Sequence, residues 1–192
     1  MCKNVVPIAF AFDNNLVLPA CVCISSLLSN ANKDTFYDIY ILHSINNAFD
    51  KFEITAIQDH YSNCSIHFVP VGSELDDSYE VRGITTPAYY RLLIPELIPE
   101  CDRILYSDVD VIFRSDLSDV YNNTDLEDYY VAGVDSIAHL IPDLRDYYKS
   151  ERGNSPEGNI YSGNLIINSK KMREDKVVDK FREHIHMKYK FQ

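Results

Sequence analysis

The chain has 192 residues, 46% of them hydrophobic and 12% aromatic, which is enough to bury one sizeable core and suits a single domain or one domain with a small appendage. Its formal charge is −11, from 29 acidic against 18 basic residues, and that balance excludes a general nucleic-acid footprint. A small anionic ligand would therefore need locally placed positive groups or a metal.

In chain order, VVPIAFAF (5–12) is an apolar strand ending in the turn cluster Asp13-Asn14-Asn15, and LVLPACVCISSLLSNA (16–31) follows with helical length. FYDIYILHS (36–44) reads as a strand, AFDKFEITAIQDHY (48–61) as a helix and SIHFVPV (65–71) as a strand. This β-α-β-α-β alternation predicts a mostly parallel sheet flanked by helices with right-handed crossovers. A polar stretch, 72–86, leads to PAYYRLLIPELIP (87–99), whose Pro87 marks a helix start. DRILYSDVDVIF (102–113) is the fourth expected strand and YYVAGVD (129–135) the fifth. The long polar run 138–159 reads as a loop, SGNLIINSKKM (162–172) as a strand and turn, and 175–191 as an amphipathic helix with Val178, Phe181 and Ile185 inward.

The chemistry concentrates in LYSDVDVIF (105–113), where Asp108 and Asp110 interrupt a run of strand-forming residues. Residues two apart on a strand share a face, so two carboxylates would stand side by side and call for a cation. Ligands of open α/β sheets collect beyond the carboxyl ends of the strands. A hard divalent cation held by one or two carboxylates keeps positions for water and phosphate oxygens, which makes a diphosphate a plausible ligand. A metal-dependent phosphatase or nucleotidyltransferase could use the same pair.

Taken together, FAFDNN (10–15), PAYYRLLIPELIP (87–99), CDRILYSDVDVIF (101–113), VAGVD (131–135) and YSGNLIINSKKMR (161–173) resemble glycosyltransferase family 8. That family comprises retaining, UDP-sugar-dependent enzymes, including bacterial lipopolysaccharide galactosyl- and glucosyltransferases and glycogenin. The resemblance implies a GT-A, Rossmann-like fold and transfer of a hexose, glucose or galactose, to a glycan or glycolipid acceptor. It assigns Asp108 and Asp110 to Mn2+ or Mg2+, with Asp108 also near the ribose and Val109 lending backbone to the nucleotide. Phe10, Ala11, Asp13 and Asn14 would line the uracil and ribose pocket, and Arg91 would reach the diphosphate or the sugar. Asp135 would face the donor sugar or the acceptor, and Gly163 would keep the backbone close to the sugar.

The chain also departs from the family pattern. Phe12 stands where an Asp or Thr is common, and Tyr161 where an Asn touches the donor sugar, so both bear on which sugar is used. The resemblance places a DQD motif just after Gln192, and further on a His that completes the metal shell; none of His43, His60, His67, His139, His184 or His186 sits in a matching motif. The chain thus reads as the N-terminal part of a longer enzyme, either a fragment or a short natural form, with weak UDP and Mn2+ binding and little transfer alone. A nucleotide-sugar-binding module without catalysis is the alternative.

No apolar run approaches the roughly 20 residues of a membrane span, and the N-terminus lacks a signal-peptide pattern. The five cysteines include no CxxC pair and read as free thiols of a reducing compartment. A cytoplasmic location is expected, peripheral at the inner membrane face in a longer form, and a homo-oligomer stays open.

Overall fold

A computed structural model describes residues 4–76, 85–136 and 159–185, together with 140–143, 145, 146 and 150. Most of the loop expected over 138–159, and the last residues of the expected C-terminal helix, lie outside the described residues.

Six strands form one sheet: β1 Asn4–Ala11, β2 Thr35–Ser44, β3 Cys64–Val71, β4 Ile104–Ser107, β5 Val131–Asp135 and β6 Ile160–Ile167. The spatial order is β3-β2-β1-β4-β6-β5. The pairs β1–β2, β2–β3 and β1–β4 are parallel, whereas β6 runs antiparallel to both β4 and β5. The sheet is therefore mostly parallel, as the alternation predicts, with one reversed strand. Pro7 is tolerated in central β1 because pairing with β4 begins only at Ile8, so its missing N–H falls before that ladder.

Helix α1 (Val17–Ser29) buries Ala20, Cys23, Ile24, Leu27 and Leu28, a spacing of three and four that aims one stripe at the sheet. With α2 (Phe52–His60) it covers one face, packed on Phe10, Phe12, Ile39 and Ile41. The other face holds Ala9, Leu42 and Tyr106 beneath a 3-10 helix over Thr86–Leu93 and the short α3 (Ile94–Leu97). Each aliphatic side chain buried in these layers contributes about 1.5–3 kcal/mol. Beyond β4 come α4 (Ser118–Asn123), α5 (Ser169–Glu174) and α6 (Val177–Ile185).

Three expectations are corrected. The fourth strand ends at Ser107, so Asp108 and Asp110 follow a strand instead of interrupting one. Val111 and Phe113 pack against the core without belonging to the sheet, while Ile112 is exposed. The helix expected over 87–99 is a 3-10 turn followed by one α-helical turn that opens with Pro95 near its start. The turn expected after β6 is instead helix α5, capped by the Asn168 side chain, which accepts from the Lys171 N–H at 3.1 Å.

Candidate functional site

The order of strands reverses at β1: β2 and β3 lie on one side of it and β4 on the other. The carboxyl ends of β1 and β4 therefore open a crevice between them. Antiparallel β6 adds its amino end to the same edge, so Tyr161, Ser162 and Gly163 arrive beside Asp108. Asp135, exposed at the end of β5, reaches that edge two strands away, roughly 10 Å by the usual strand spacing.

Asp108 is the centre of the arrangement. Its Oδ1 accepts from the Tyr106 hydroxyl at 2.8 Å and lies 3.1 Å from Nη2 of Arg91. Its backbone N–H donates to Gly163 O at 2.7 Å. Arg91 also donates from Nε to Ala88 O at 2.6 Å and from Nη1 to Ser162 O, with its guanidinium carbon 4.5 Å from the centre of the Tyr106 ring. The guanidinium is thus held by four neighbours on three elements. Ser107 reinforces the edge by donating to Asn164 Oδ1 at 2.9 Å. Val109 is buried and Asp110 exposed. Burial, followed by the nearby Asp108 and Asp110 carboxylates, raises the Tyr161 phenol pKa, consistent with a tyrosine standing over both acids.

Gly163 is required by space. A Cβ there would lie 2.6 Å from Asp108 Oδ2 and 2.5 Å from a ring carbon of Tyr161. The glycine keeps the backbone close to the Asp108 carboxylate and to the Tyr161 ring.

A cleft of about 380 Å3 opens beside this cluster, lined by Phe12, Asp13, Asn14, Asn46, Asp76 and Tyr90 among others. Asp13 accepts from Asn15 N at 2.9 Å and starts the 3-10 turn leading into α1. Asn14 holds the opposite wall, donating to Ala48 O at 2.6 Å and accepting from Asp50 N at 2.9 Å. Asn46 donates to Asp76 at 2.7 Å. Phe12 forms part of the floor, its ring 5.5 Å from that of Phe49, which in turn stacks on His43 at 4.9 Å. Phe10 and Ala11 lie in the two core layers and not on the cleft wall. Among the described residues no lining side chain is cationic, while two are carboxylates, so these walls suit an uncharged hydroxyl-rich or aromatic group better than a phosphate. Tyr90 lines the cleft and its neighbour Arg91 turns to Asp108, so one 3-10 helix joins the two halves.

The donor set fits a hard divalent cation. Asp108 Oδ2 and the Asp110 carboxylate offer oxygen donors of the kind such a cation takes, and among the described residues no group of three acidic, His or Cys side chains converges. Two carboxylates leave positions for water and for phosphate oxygens. Cys23, whose thiol lies 4.0 Å from Asp108 O, is not a candidate ligand, because burial pushes its pKa up to about 12. The other described cysteines, Cys21, Cys64 and Cys101, are likewise free.

Sequence reasoning missed Tyr106 and the cleft residues Asn46, Phe49 and Asp76. Tyr106 was within reach, since it stands two residues before Asp108 and so shares its side of the chain. The others lie on connections that carried no motif.

A sheet whose order reverses at β1, with an Asp-x-Asp at the neighbouring strand end, defines the GT-A class of glycosyltransferase folds. Galactosyltransferase LgtC, solved with donor and acceptor sugar analogues, has this fold: TM-score 0.76 at 26% identity, covering 97% of this chain and 67% of that one. The model of Glycosyl transferase family 8 matches residues 7–191, and the chain belongs to that family. It is 32% identical over 131 residues to glycosyltransferase GlyF of Streptococcus pneumoniae serotype 4 (strain ATCC BAA-334 / TIGR4), a match covering 68% of this chain and 31% of GlyF. A Haemophilus influenzae (strain ATCC 51907 / DSM 11121 / KW20 / Rd) relative is 27% identical over 175 residues, covering 90% of this chain and 51% of the relative. The chain thus spans about a third to a half of the length of these curated relatives.

Proposed function

We propose that this chain is the nucleotide-sugar-binding portion of a retaining glycosyltransferase that moves a hexose, glucose or galactose, from UDP to a glycan or lipopolysaccharide-type acceptor. The carrying observation is the two-part edge: an uncharged-to-acidic cleft for a nucleoside, joined through Tyr90 and Arg91 to a guanidinium and two carboxylates suited to a metal diphosphate.

In this reading Asp108 and Asp110 hold Mn2+ or Mg2+, which supplies Lewis-acid neutralisation of the departing diphosphate. Arg91 adds a fixed guanidinium fork on the same side, where negative charge grows as the anomeric bond breaks. The cleft around Asp13, Asn14 and Phe12 receives the uridine, with Phe10, Ala11 and Val109 shaping the backbone behind it. Tyr161 and Gly163 bound the sugar, and Asp135 faces the sugar or the acceptor. Among the described residues no helix is long and apolar enough to cross a membrane; a cytoplasmic enzyme, peripheral at the membrane face, fits that reading. The described residues are read as one GT-A nucleotide-sugar-binding unit. A binding module without transfer is the second reading, favoured by the two-carboxylate donor set.

Isothermal titration with UDP in the presence of Mn2+ tests the proposal. Binding that disappears in Asp108→Ala/Asp110→Ala supports it, and binding unchanged in that variant sinks the metal role. Chelator-sensitive transfer or hydrolysis of UDP-glucose or UDP-galactose separates the enzyme from the binding module.

A further inference from the structure

The hydrogen bond and the ion pair made by the Asp108 carboxylate engage the same oxygen. Tyr106 donates to Oδ1 at 2.8 Å, and Nη2 of Arg91 lies 3.1 Å from that atom. Oδ1 is thus the oxygen the protein itself engages, by a hydrogen bond from Tyr106 and by the charge of Arg91. Oδ2 points the other way, toward Gly163, where a Cβ would come within 2.6 Å. The same tyrosine ring lies under Arg91, with 4.5 Å between the guanidinium carbon and the ring centre. Tyr106 itself is 2% exposed, packed in the core between β1 and the 3-10 helix, so its own position is fixed.

We infer that Tyr106 is a positioning residue: its hydroxyl and ring together set Asp108 so that Oδ2 alone is offered to a divalent cation, with Arg91 beside it. This rests on the metal-diphosphate reading proposed above. A hydrogen bond of this kind orients a ligand without touching the metal, and its removal commonly costs 10–100-fold in metal affinity.

The test is Mn2+ titration in the presence of UDP, followed by the electron paramagnetic resonance of free Mn2+, on the wild-type chain, Tyr106→Phe and Tyr37→Phe. Tyr37 is a matched control: it is equally buried, its hydroxyl bonds Asp116 at 3.1 Å, and it lies in the opposite core layer. Tyr106→Phe is expected to weaken Mn2+ binding about 10-fold while Tyr37→Phe, with a similar loss in melting temperature, leaves it unchanged. Gly163→Ala, crowding Oδ2 from the other side, is expected to weaken Mn2+ with Tyr106 intact, and it stands in if Tyr106→Phe does not fold. Equal Mn2+ affinity in wild type and Tyr106→Phe, equal losses in the two tyrosine variants, or an unaffected Gly163→Ala would each overturn the inference while leaving the metal site standing. Absence of Mn2+ and UDP binding by the wild-type chain would overturn the functional reading itself, and the inference with it.

Discussion

Nη2 of Arg91 stands 3.1 Å from Oδ1 of Asp108, with the arginine side chain 13% exposed and the aspartate 30%. The cation that two neighbouring acids call for is thus supplied in part by the protein. Arg91→Ala removes that charge together with the hydrogen bonds to Ala88 and Ser162. Stability should fall by about 2 kcal/mol in urea unfolding, and affinity for UDP with Mn2+ at least 10-fold. Arg91→Lys keeps the charge but not the fork, so it should recover part of the stability and little of the affinity. An Arg91→Ala chain as stable as wild type would show the pairing to be idle.

Gly163→Ala isolates a purely steric demand. Tyr161 is half exposed and can swing away, but Asp108 is pinned from behind. The new methyl should therefore cost about 1–3 kcal/mol in overpacking, and pairing it with Tyr161→Ala should restore part of that stability. Urea unfolding of the single and double variants gives the comparison; no recovery would mean that the clash falls on Asp108 alone.

His43 gives the chain a pH dependence near neutrality. Burial lowers its pKa below the ordinary value of 6.5, helped by Lys51 and opposed by a hydrogen bond to Ser44 O. Its buried Nε2 has no hydrogen-bond partner, so protonation is disfavoured in the fold. The unfolded chain takes up a proton as pH drops through 6.5 while the folded chain does not, so stability falls below that pH until the folded group also titrates. His43→Phe, keeping the stack on Phe49, should flatten thermal stability between pH 5 and 6.5. An unchanged slope would assign the effect to another group.

Asp116 acts at lower pH. Burial raises its pKa, but donors from Ser118, the Asn32 N–H and Tyr37 outweigh this and leave it below the ordinary 3.8. Its stabilisation is present above that value and is lost as pH falls through the lower, folded value. Asp116→Asn should destabilise the chain at neutral pH and make acid unfolding shallower, as followed by circular dichroism. Equal acid midpoints in the two chains would remove Asp116 from the account.

Arg182 joins three acids across the surface, 2.6 Å from Glu74, 2.6 Å from Glu96 and 3.3 Å from Asp179. It ties α6 to the segment preceding Asp76, part of the cleft wall. Because the side chain is about a third exposed, Arg182→Ala should cost only about 1 kcal/mol. Its sharper effect should be weaker UDP binding through a loosened Asp76. High salt should mimic it in the wild type.

The βαβ half of the fold was legible because each buried parallel strand is a continuous apolar run and α1 repeats its apolar residues at helical spacing. The end of β4 was not, since Val111, Ile112 and Phe113 look like strand residues and nothing local says that the ladder stops at Ser107. Helix α4 escaped notice because SDVYNN has no apolar stripe, although Asp116, which accepts from the Ser118 N–H, is a readable turn signature. Asn168 was an N-cap in plain view before Ser169. At the site, Asp108 and Arg91 were both named from their motifs, but their mutual contact depends on a 3-10 helix and a strand end that meet only in three dimensions. The reversed direction of β6 likewise lies in long-range pairing that no local pattern encodes.

That reversal has a consequence for how such a site can diversify. Asp135 pairs with Ile160, and Ser136 N donates to Asn159 O at 2.7 Å, so the chain leaves and re-enters the sheet through a closed gate. Lengthening the insert between the gateposts costs only about 0.6 kcal/mol per doubling in closure entropy, and it need not disturb the pairing behind it. The fold thus offers a socket at the β5–β6 edge of the sheet, where segments of unequal length and chemistry can be exchanged while Asp108 and Asp110 stay in place.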